Sequence, residues 1–181
     1  LRFKSIFLAN QIVHFVKTIL ETNRLRLREF VSEDSEFIMQ LVNTPLWIQF
    51  IGDRNIKTLG VAEEYIQENL RVGYSKNGFG LWCMELKTSS TPIGMCGLVK
   101  RKSLENVDIG FALLPDYERQ GYTFEAAKAT MKYAKDRLKI KKIVAITDPK
   151  NVASIGLLNK IGLRFEKELQ LSEGDTVLLF S

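Results

Sequence analysis

Arg24-Leu-Arg-Leu-Arg28 alternates strictly between charge and leucine, the period of a half-buried first strand. Ser32 then stands where a helix cap belongs. The first turn behind it carries Glu33, Asp34 and Glu36, and Phe37, Ile38, Leu41 and Val42 share one face. Residues 43–55 read as a loop, unusual as a connector because it holds Trp47 and Phe50. Ala62, Ile66 and Leu70, each four apart, predict a second helix. Strands follow at Gly80–Leu86, Ile93–Lys100 and Val107–Leu114, divided by the turn-forming stretches Ser89–Pro92 and Ser103–Asn106. A long helix sets Ala127, Met131, Ala134 and Leu138 on one face, with Lys128, Lys132 and Lys135 away from it. Ile143-Val-Ala-Ile146 is apolar throughout, as in a strand covered on both sides. A helix over 151–161 and strands near Leu163–Leu171 and Thr176–Phe180 complete a mixed sheet. No repeat, linker or low-complexity tract divides the chain, so one domain is expected.

Residues 1–20 are apolar but interrupted by Lys4, Asn10, Gln11, His14 and Lys17. That is too broken for a bilayer span, and no small-residue cleavage site follows. The segment reads as an N-terminal extension, an amphipathic helix or tail, ahead of a domain over 21–181. No membrane partner and a cytoplasmic location are the corresponding expectations.

Composition narrows the chemistry. With 181 residues, 45% of them hydrophobic, the chain has material for one real core. Two cysteines and one histidine leave no disulfide framework, no Ser-His-Asp or Cys-His catalysis and no metal site in prospect. The net charge of +5 raises nucleic acid as a partner. However, the basic cluster at Lys132, Lys135, Arg137, Lys139, Lys141 and Lys142 lacks interleaved aromatics and sits at a helix end, where cations complement the dipole. It reads as a solvated face, and no nucleic acid is expected.

The most informative stretch is Asp108 to Ala127. An apolar strand is stopped by Pro115, which has no N–H for a sheet; a charged loop follows, then Gly121 opens a helix. Glycine lets the backbone approach a ligand, and the first helical turn presents unpaired N–H groups at the positive end of its dipole. Such a seat suits a diphosphate. The same pattern is also ordinary α/β punctuation. The second signal is Asn151-Val-Ala-Ser-Ile-Gly-Leu-Leu-Asn-Lys-Ile-Gly-Leu163, directly behind the apolar strand.

Together, in this order and at this distance, the two stretches resemble the GNAT superfamily of acetyl-CoA-dependent N-acetyltransferases, and within it the RimJ/RimL-type branch that acetylates ribosomal-protein N-termini. The likeness extends over 21–181. It implies a single mixed, mostly antiparallel sheet of about seven strands flanked by helices, an α/β (α+β) fold. It implies acetyl transfer from acetyl-CoA to an amine by direct attack, without metal. The cofactor residues implied are Phe111 and Leu113 on the strand, Arg119, Gln120, Gly121, Tyr122, Thr123 and Phe124 at the loop, and Asn151 and Ser154 on the following helix. The loop departs from the superfamily's usual form at Glu118, Arg119 and Thr123; Arg119 and the Thr123 hydroxyl can each serve a phosphate. Glu125 is expected to orient the loop.

Asp108 occupies the branch's acidic strand position, as a base acting through water or as an anchor for the strand or the acceptor. Glu85 and Glu105 are weaker alternatives. A backbone N–H near Ile109–Phe111 is the expected oxyanion donor. Leu158 stands where many superfamily members carry a tyrosine acid, which leaves Ser154 as proton donor or as a packing residue. Trp47, Gln49 and Phe50 are acceptor-cleft candidates. A protein α-amine is the leading acceptor, ahead of a polyamine or aminoglycoside, because residues 43–55 offer only Asp53 as an acid. A non-catalytic CoA- or nucleic-acid-binding module is the third possibility. A monomer or a homodimer fits equally.

Overall fold

The computed structural model describes residues 16–171 and 176–181. Its eight strands are β1 (Thr18–Glu21), β2 (Leu25–Arg28), β3 (Leu81–Leu86), β4 (Pro92–Val99), β5 (Val107–Leu113), β6 (Ile143–Thr147), β7 (Phe165–Gln170) and β8 (Thr176–Phe180). They form one open sheet in the order β1-β2-β3-β4-β5-β6-β8-β7. Every neighbouring pair is antiparallel except β5 with β6. The expected mixed, mostly antiparallel sheet is present, with one strand more than about seven. The extra strand is β1, which begins inside the span read as an extension. Thr18, Ile19 and Leu20 are extended rather than helical; residues 1–15 lie outside the described residues.

Helices cover both faces. Along β3, Trp82 and Met84 face one way and Cys83 and Glu85 the other, as the strand period requires. Trp82, Met84, Leu25, Leu27, Cys96, Leu98 and Ile109 pack with Ala126, Ala127 and Ala134 of α5 (Tyr122–Asp136). Cys83 and Met95 instead join Phe37, Ile38 and Leu41 of α1 (Ser35–Val42), Trp47 of α2 (Pro45–Phe50), Ala62 of α3 (Leu59–Tyr65), and the π-helical Ile66 and Leu70. The helix α6 (Val152–Lys160) follows β6. Both cysteines are free and buried.

Three local expectations are corrected. Residues 43–55 are not a plain loop: α2 begins at Pro45, whose fixed φ suits a first helical turn. The six residues Pro45–Phe50 hold only one polar side chain, Gln49, so no polar face marked this helix in the sequence. The regular spacing of Ala62, Ile66 and Leu70 is interrupted by a π-helical turn over Ile66–Arg71, after which α4 (Val72–Asn77) ends at Gly78. Ser32 does not cap α1. It opens a 3₁₀ turn over Ser32–Asp34, and α1 starts at Ser35.

The reason lies in Asp34. Its carboxylate accepts the Val31 N–H and both terminal nitrogens of Arg28, at 2.7 and 2.8 Å. Arg28 Nε also donates to Glu85 at 2.6 Å, and Arg26 Nη1 reaches the other Glu85 oxygen at 2.6 Å. Strand β2 is therefore not half-exposed. On the face carrying its arginines, Arg28 lies buried against Asp34 of the 3₁₀ turn and Glu85 of β3, and burial is tolerated because the charges are paired and hydrogen-bonded.

Candidate active site

The single parallel contact in the sheet is short. β5 and β6 pair only at Val107 with Ile143 and Asp108 with Val144, and then diverge. In a continued parallel ladder the Ile146 N–H would next reach the carbonyl of Ile109. It turns instead to Asp108 Oδ1, at 3.3 Å. The Asp108 side chain thus ends the ladder. Beyond it opens a cleft of about 430 Å³ lined by Asp108 to Ala112 on one side and Ala145 to Asp148 on the other. Asn151, Ser154 and Leu158 of α6 and Trp47, Phe50 and Tyr65 of the helical side also line it.

Asp108 is 1% exposed, and Arg101 Nε donates to its Oδ2 at 2.6 Å. Burial raises its pKa to about 6; the Arg101 charge and hydrogen bond, together with the Ile146 N–H, oppose but do not cancel that shift. The carboxyl is mostly ionised at neutral pH, yet far more basic than a surface aspartate. Burial also pushes the phenol of Tyr65 up, against a smaller opposing effect of Arg54.

One edge of β5 is open to the cleft. The Leu114 N–H donates to Ile93 of β4, and the β4–β5 register runs without a bulge from Gly94–Leu113 to Val99–Asp108. Backbone groups alternate sides along a strand, so those of Ala112 and Gly110 also face β4. The groups of Phe111 and Leu113 face the gap left by β6. Two strand residues thus present unpaired N–H and C=O groups where an amide-bearing chain can lie alongside.

At the end of the same strand, the 3₁₀ turn Pro115–Tyr117 leads to Gly121, the N-cap of α5, held at φ +81°. That left-handed conformation costs glycine little, and only Arg24 approaches the place of a Cβ, with Nη2 at 3.6 Å. Arg24 braces the loop: Nη1 donates to the Gln120 carbonyl at 3.0 Å, Nε to Glu125 at 2.7 Å, and the guanidinium lies 4.3 Å from the Tyr122 ring centroid. Glu125 also accepts from Thr22 Oγ1 and the Arg24 N–H. Although burial works against its charge, these donors hold Glu125 below the usual carboxylate range.

The structure gathers Asp108, Phe111, Asn151, Ser154, Trp47 and Phe50 around one cleft. Gln49 is not among them. It stands two residues from Trp47, about 200° around the helix, and is exposed, whereas Phe50 at three residues shares the Trp47 side. Arg119 to Phe124 stand at the α5 N-terminus, apart from the cleft wall. Asn151 Oδ1 accepts the Ser154 N–H at 3.0 Å, so this asparagine caps α6. Glu85 is locked between Arg26 and Arg28, and Glu105 is exposed; neither lines the cleft. Sequence reading missed Arg24 and Arg101. Arg24 was visible only as one charge in an alternating strand, and Arg101 as one of three adjacent cations, Lys100 to Lys102.

Residues 24–164 match the model of the acetyltransferase (GNAT) domain. The chain belongs to the GNAT acetyltransferase family. YkkB of Bacillus subtilis is 31% identical over 85% of this chain and 90% of its own length. The N-acetyltransferase YoaA, also of B. subtilis, is 28% identical over 83% and 84%. Among solved structures, RimL, a ribosomal L7/L12 α-N-protein acetyltransferase in complex with coenzyme A, superposes with a TM-score of 0.78 over 91% of this chain and 96% of that one, at 17% identity. This GNAT acetyltransferase uses acetyl-CoA. An open strand edge and a glycine-led helix N-terminus fit an elongated molecule with an amide-rich arm and a diphosphate.

Two outcomes follow for this GNAT protein. Acetyl-CoA at 100 times its Kd should stabilise the fold by about 2.7 kcal/mol. Gly121→Glu should abolish the resulting rise in melting temperature, by placing bulk and negative charge at the seat, whereas Gly121→Asn, which tolerates positive φ, should keep most of it. Differential scanning fluorimetry reads both.

The second outcome concerns Asp108. Its pKa is raised in the fold from 3.8 to about 6, so its neutral form is favoured there. That stabilisation is full below pH 3.8 and is lost as pH rises through 6. At pH 7.5 the buried charge costs on the order of 2–3 kcal/mol. Asp108→Asn should therefore melt higher than the native protein at pH 7.5, with the two converging near pH 4. A variant that melts lower at pH 7.5 would mean that the Arg101 pair outweighs burial.

Proposed function

We propose that this acetyltransferase acts on a polypeptide α-amine, with Asp108 as the proton acceptor and Ser154 as the proton donor. The observation that carries this reading is the raised pKa of Asp108 at the head of the cleft. An α-amine, with a pKa near 7.7–8.0, is about 15% neutral at pH 7, and a lysine near 10.4 roughly 0.04%. Moving a proton from an α-ammonium to a carboxyl of pKa about 6 is uphill by only about 2 pH units, against about 4 for an unshifted aspartate. A lysine donor would bring the difference back to more than about 4.

The charges around the cleft favour the same class. Its lining includes the cations Arg54, Lys100 and Arg101 and only two acids, Asp108 and Asp148. Arg101 is paired with Asp108, and Asp148 accepts the backbone N–H of Lys150. A polyamine or aminoglycoside with several positive charges would meet no acidic belt here. The ribosomal N-terminal acceptor named for RimL lies in the class proposed.

The thioester of acetyl-CoA supplies the electrophilic carbonyl. The neutral amine attacks it, a C–N bond forms and the C–S bond breaks. The amine's excess proton passes through water to Asp108; the Ser154 hydroxyl hydrogen-bonds the leaving sulfur and hands it a proton that the serine takes back from water, while Asp108 returns its own proton to water, so that amide and thiol form with no net change in protons. The Phe111 N–H, facing the gap, is the donor for the oxygen that gains charge. Phe111, Leu113, Asn151 and the seat at Arg119–Phe124 hold the co-substrate, and Trp47 and Phe50 wall the acceptor end.

The test is release of CoA thiol across ribosomal N-terminal peptides, polyamines and aminoglycosides, with pH–rate profiles on the best acceptor. Peptides should be turned over at least tenfold better in kcat/KM. Asp108→Asn should lose most activity at low pH, the deficit shrinking as pH passes the acceptor's pKa, while Ser154→Ala should lose a modest, nearly pH-independent fraction. Preference for a polyamine would overturn the acceptor class. A constant fractional loss in Asp108→Asn would make Asp108 a positioning group.

A further inference from the structure

Two donors from different elements hold the Asp108 carboxylate. Arg101 Nε donates to Oδ2 at 2.6 Å, and the Ile146 N–H of β6 donates to Oδ1 at 3.3 Å. Arg101 belongs to the turn between β4 and β5. Val99 pairs with Asp108 across those strands, so Arg101, two residues further on, is placed diagonally opposite, within reach of a long side chain. The turn is itself anchored. Lys100 Nζ donates to the Glu105 carbonyl at 2.9 Å and the Leu104 N–H to the Arg101 carbonyl at 3.4 Å. The Leu104 side chain is buried with Val144 and Leu179.

The pair is asymmetric. The Arg101 side chain is 40% exposed and that of Asp108 1%, so the arginine keeps much of its hydration while the carboxylate has lost its own. Among the described residues, Arg101 is the only cation within 4 Å of Asp108. Arg54, Tyr65, Lys100 and Asp148 also line the cleft, but the groups that act on Asp108 are Arg101 and Ile146. A guanidinium stays charged at every working pH. Without it, a carboxylate this buried would keep a single N–H donor and would take up a proton rather than remain charged. Charge-assisted hydrogen bonds are the stronger ones, so that proton would also weaken the contact with which Asp108 ends the β5–β6 ladder.

We propose that Arg101 is a positioning residue for acetyl transfer: its guanidinium clamps the Asp108 carboxylate against the Ile146 N–H and holds it ready to take a proton. The inference rests on the reading of Asp108 as proton acceptor and adds the residue that prepares it. Arg101 acts through Asp108 and needs no contact with either substrate.

The test is the titration of Asp108 itself, followed by its ¹³Cγ signal in the full chain and assigned by the loss of that signal in Asp108→Asn. The native midpoint should lie near about 6. In Arg101→Gln, which keeps a donor but loses the charge, it should rise by about 1 pH unit or more, and Arg101→Lys, which restores a charge without the planar fork, should recover most of that rise. The Ile146 amide proton should titrate with the same midpoint in each protein. On the best acceptor, kcat/KM of Arg101→Gln should fall about tenfold below native near pH 5.5 and approach it by about pH 9. An Asp108 midpoint that stays in place in Arg101→Gln, as it would if Arg101 merely braced the turn, overturns the inference. So does a midpoint that rises as far in Arg101→Lys. If the midpoint moves as expected but kcat/KM falls by the same fraction at every pH, the clamp stands and the reading of Asp108 as proton acceptor is lost.

Discussion

The hydrogen bond from the Ile146 N–H to the Asp108 carboxylate, 3.3 Å long, is the constraint on which the cleft depends. A sheet holding one parallel pair among antiparallel ones would ordinarily continue that ladder, since each skipped rung leaves backbone polar groups to satisfy. Here a side chain ends it after two residue pairs. The result is a gap with peptide groups on one wall, a helix with Asn151 and Ser154 on another, and aromatic residues from α2 and α3 on the third. The side chain that opens the gap is also the most perturbed carboxyl in it. Both follow from its burial at the point where the strands part.

The strand β2 holds the two ends of this arrangement together. Leu25 and Leu27 anchor it in the core under α5, with Arg24 just ahead of the strand and Arg26 and Arg28 within it. Arg24 reaches Glu125 and the Gln120 carbonyl and fixes the glycine loop. Arg26 and Arg28 join Glu85 and Asp34 and fix the helical wall. A buried network of this kind is weak evidence for stability, since well-packed apolar residues often do as well. Its use here is geometric, because a helix that shifts along β2 would break a bidentate pair.

Most strands and helices were legible from periodicity because one face of each is apolar. The Asp108–Ala127 and Asn151–Leu163 stretches pointed to the candidate site through their joint resemblance to the GNAT pattern, since a proline stop, a glycine turn and a polar N-cap are each ordinary alone. Four features were not legible, because none leaves a signature in its own stretch of sequence. The strand β1 sits in a segment whose apolar residues do not alternate. The helix α2 is too short to show a period. The burial of Arg28 depends on Asp34 and Glu85, which lie 6 and 57 residues away and approach only after folding. The divergence of β5 and β6 likewise has no local signature: Ile143-Val-Ala-Ile146 reads the same whether or not its last rungs are filled.

The central claim is that the Phe111 and Leu113 side of β5 is a vacant strand edge, completed by the amide-rich arm of acetyl-CoA. Amide hydrogen exchange resolved by residue tests it directly, because neighbouring residues on one strand must respond differently. With acetyl-CoA bound, exchange should slow sharply at Phe111 and Leu113 and change little at Gly110 and Ala112, which β4 already protects. Uniform protection along β5, or none at Phe111 and Leu113 while the protein is saturated, would contradict the account.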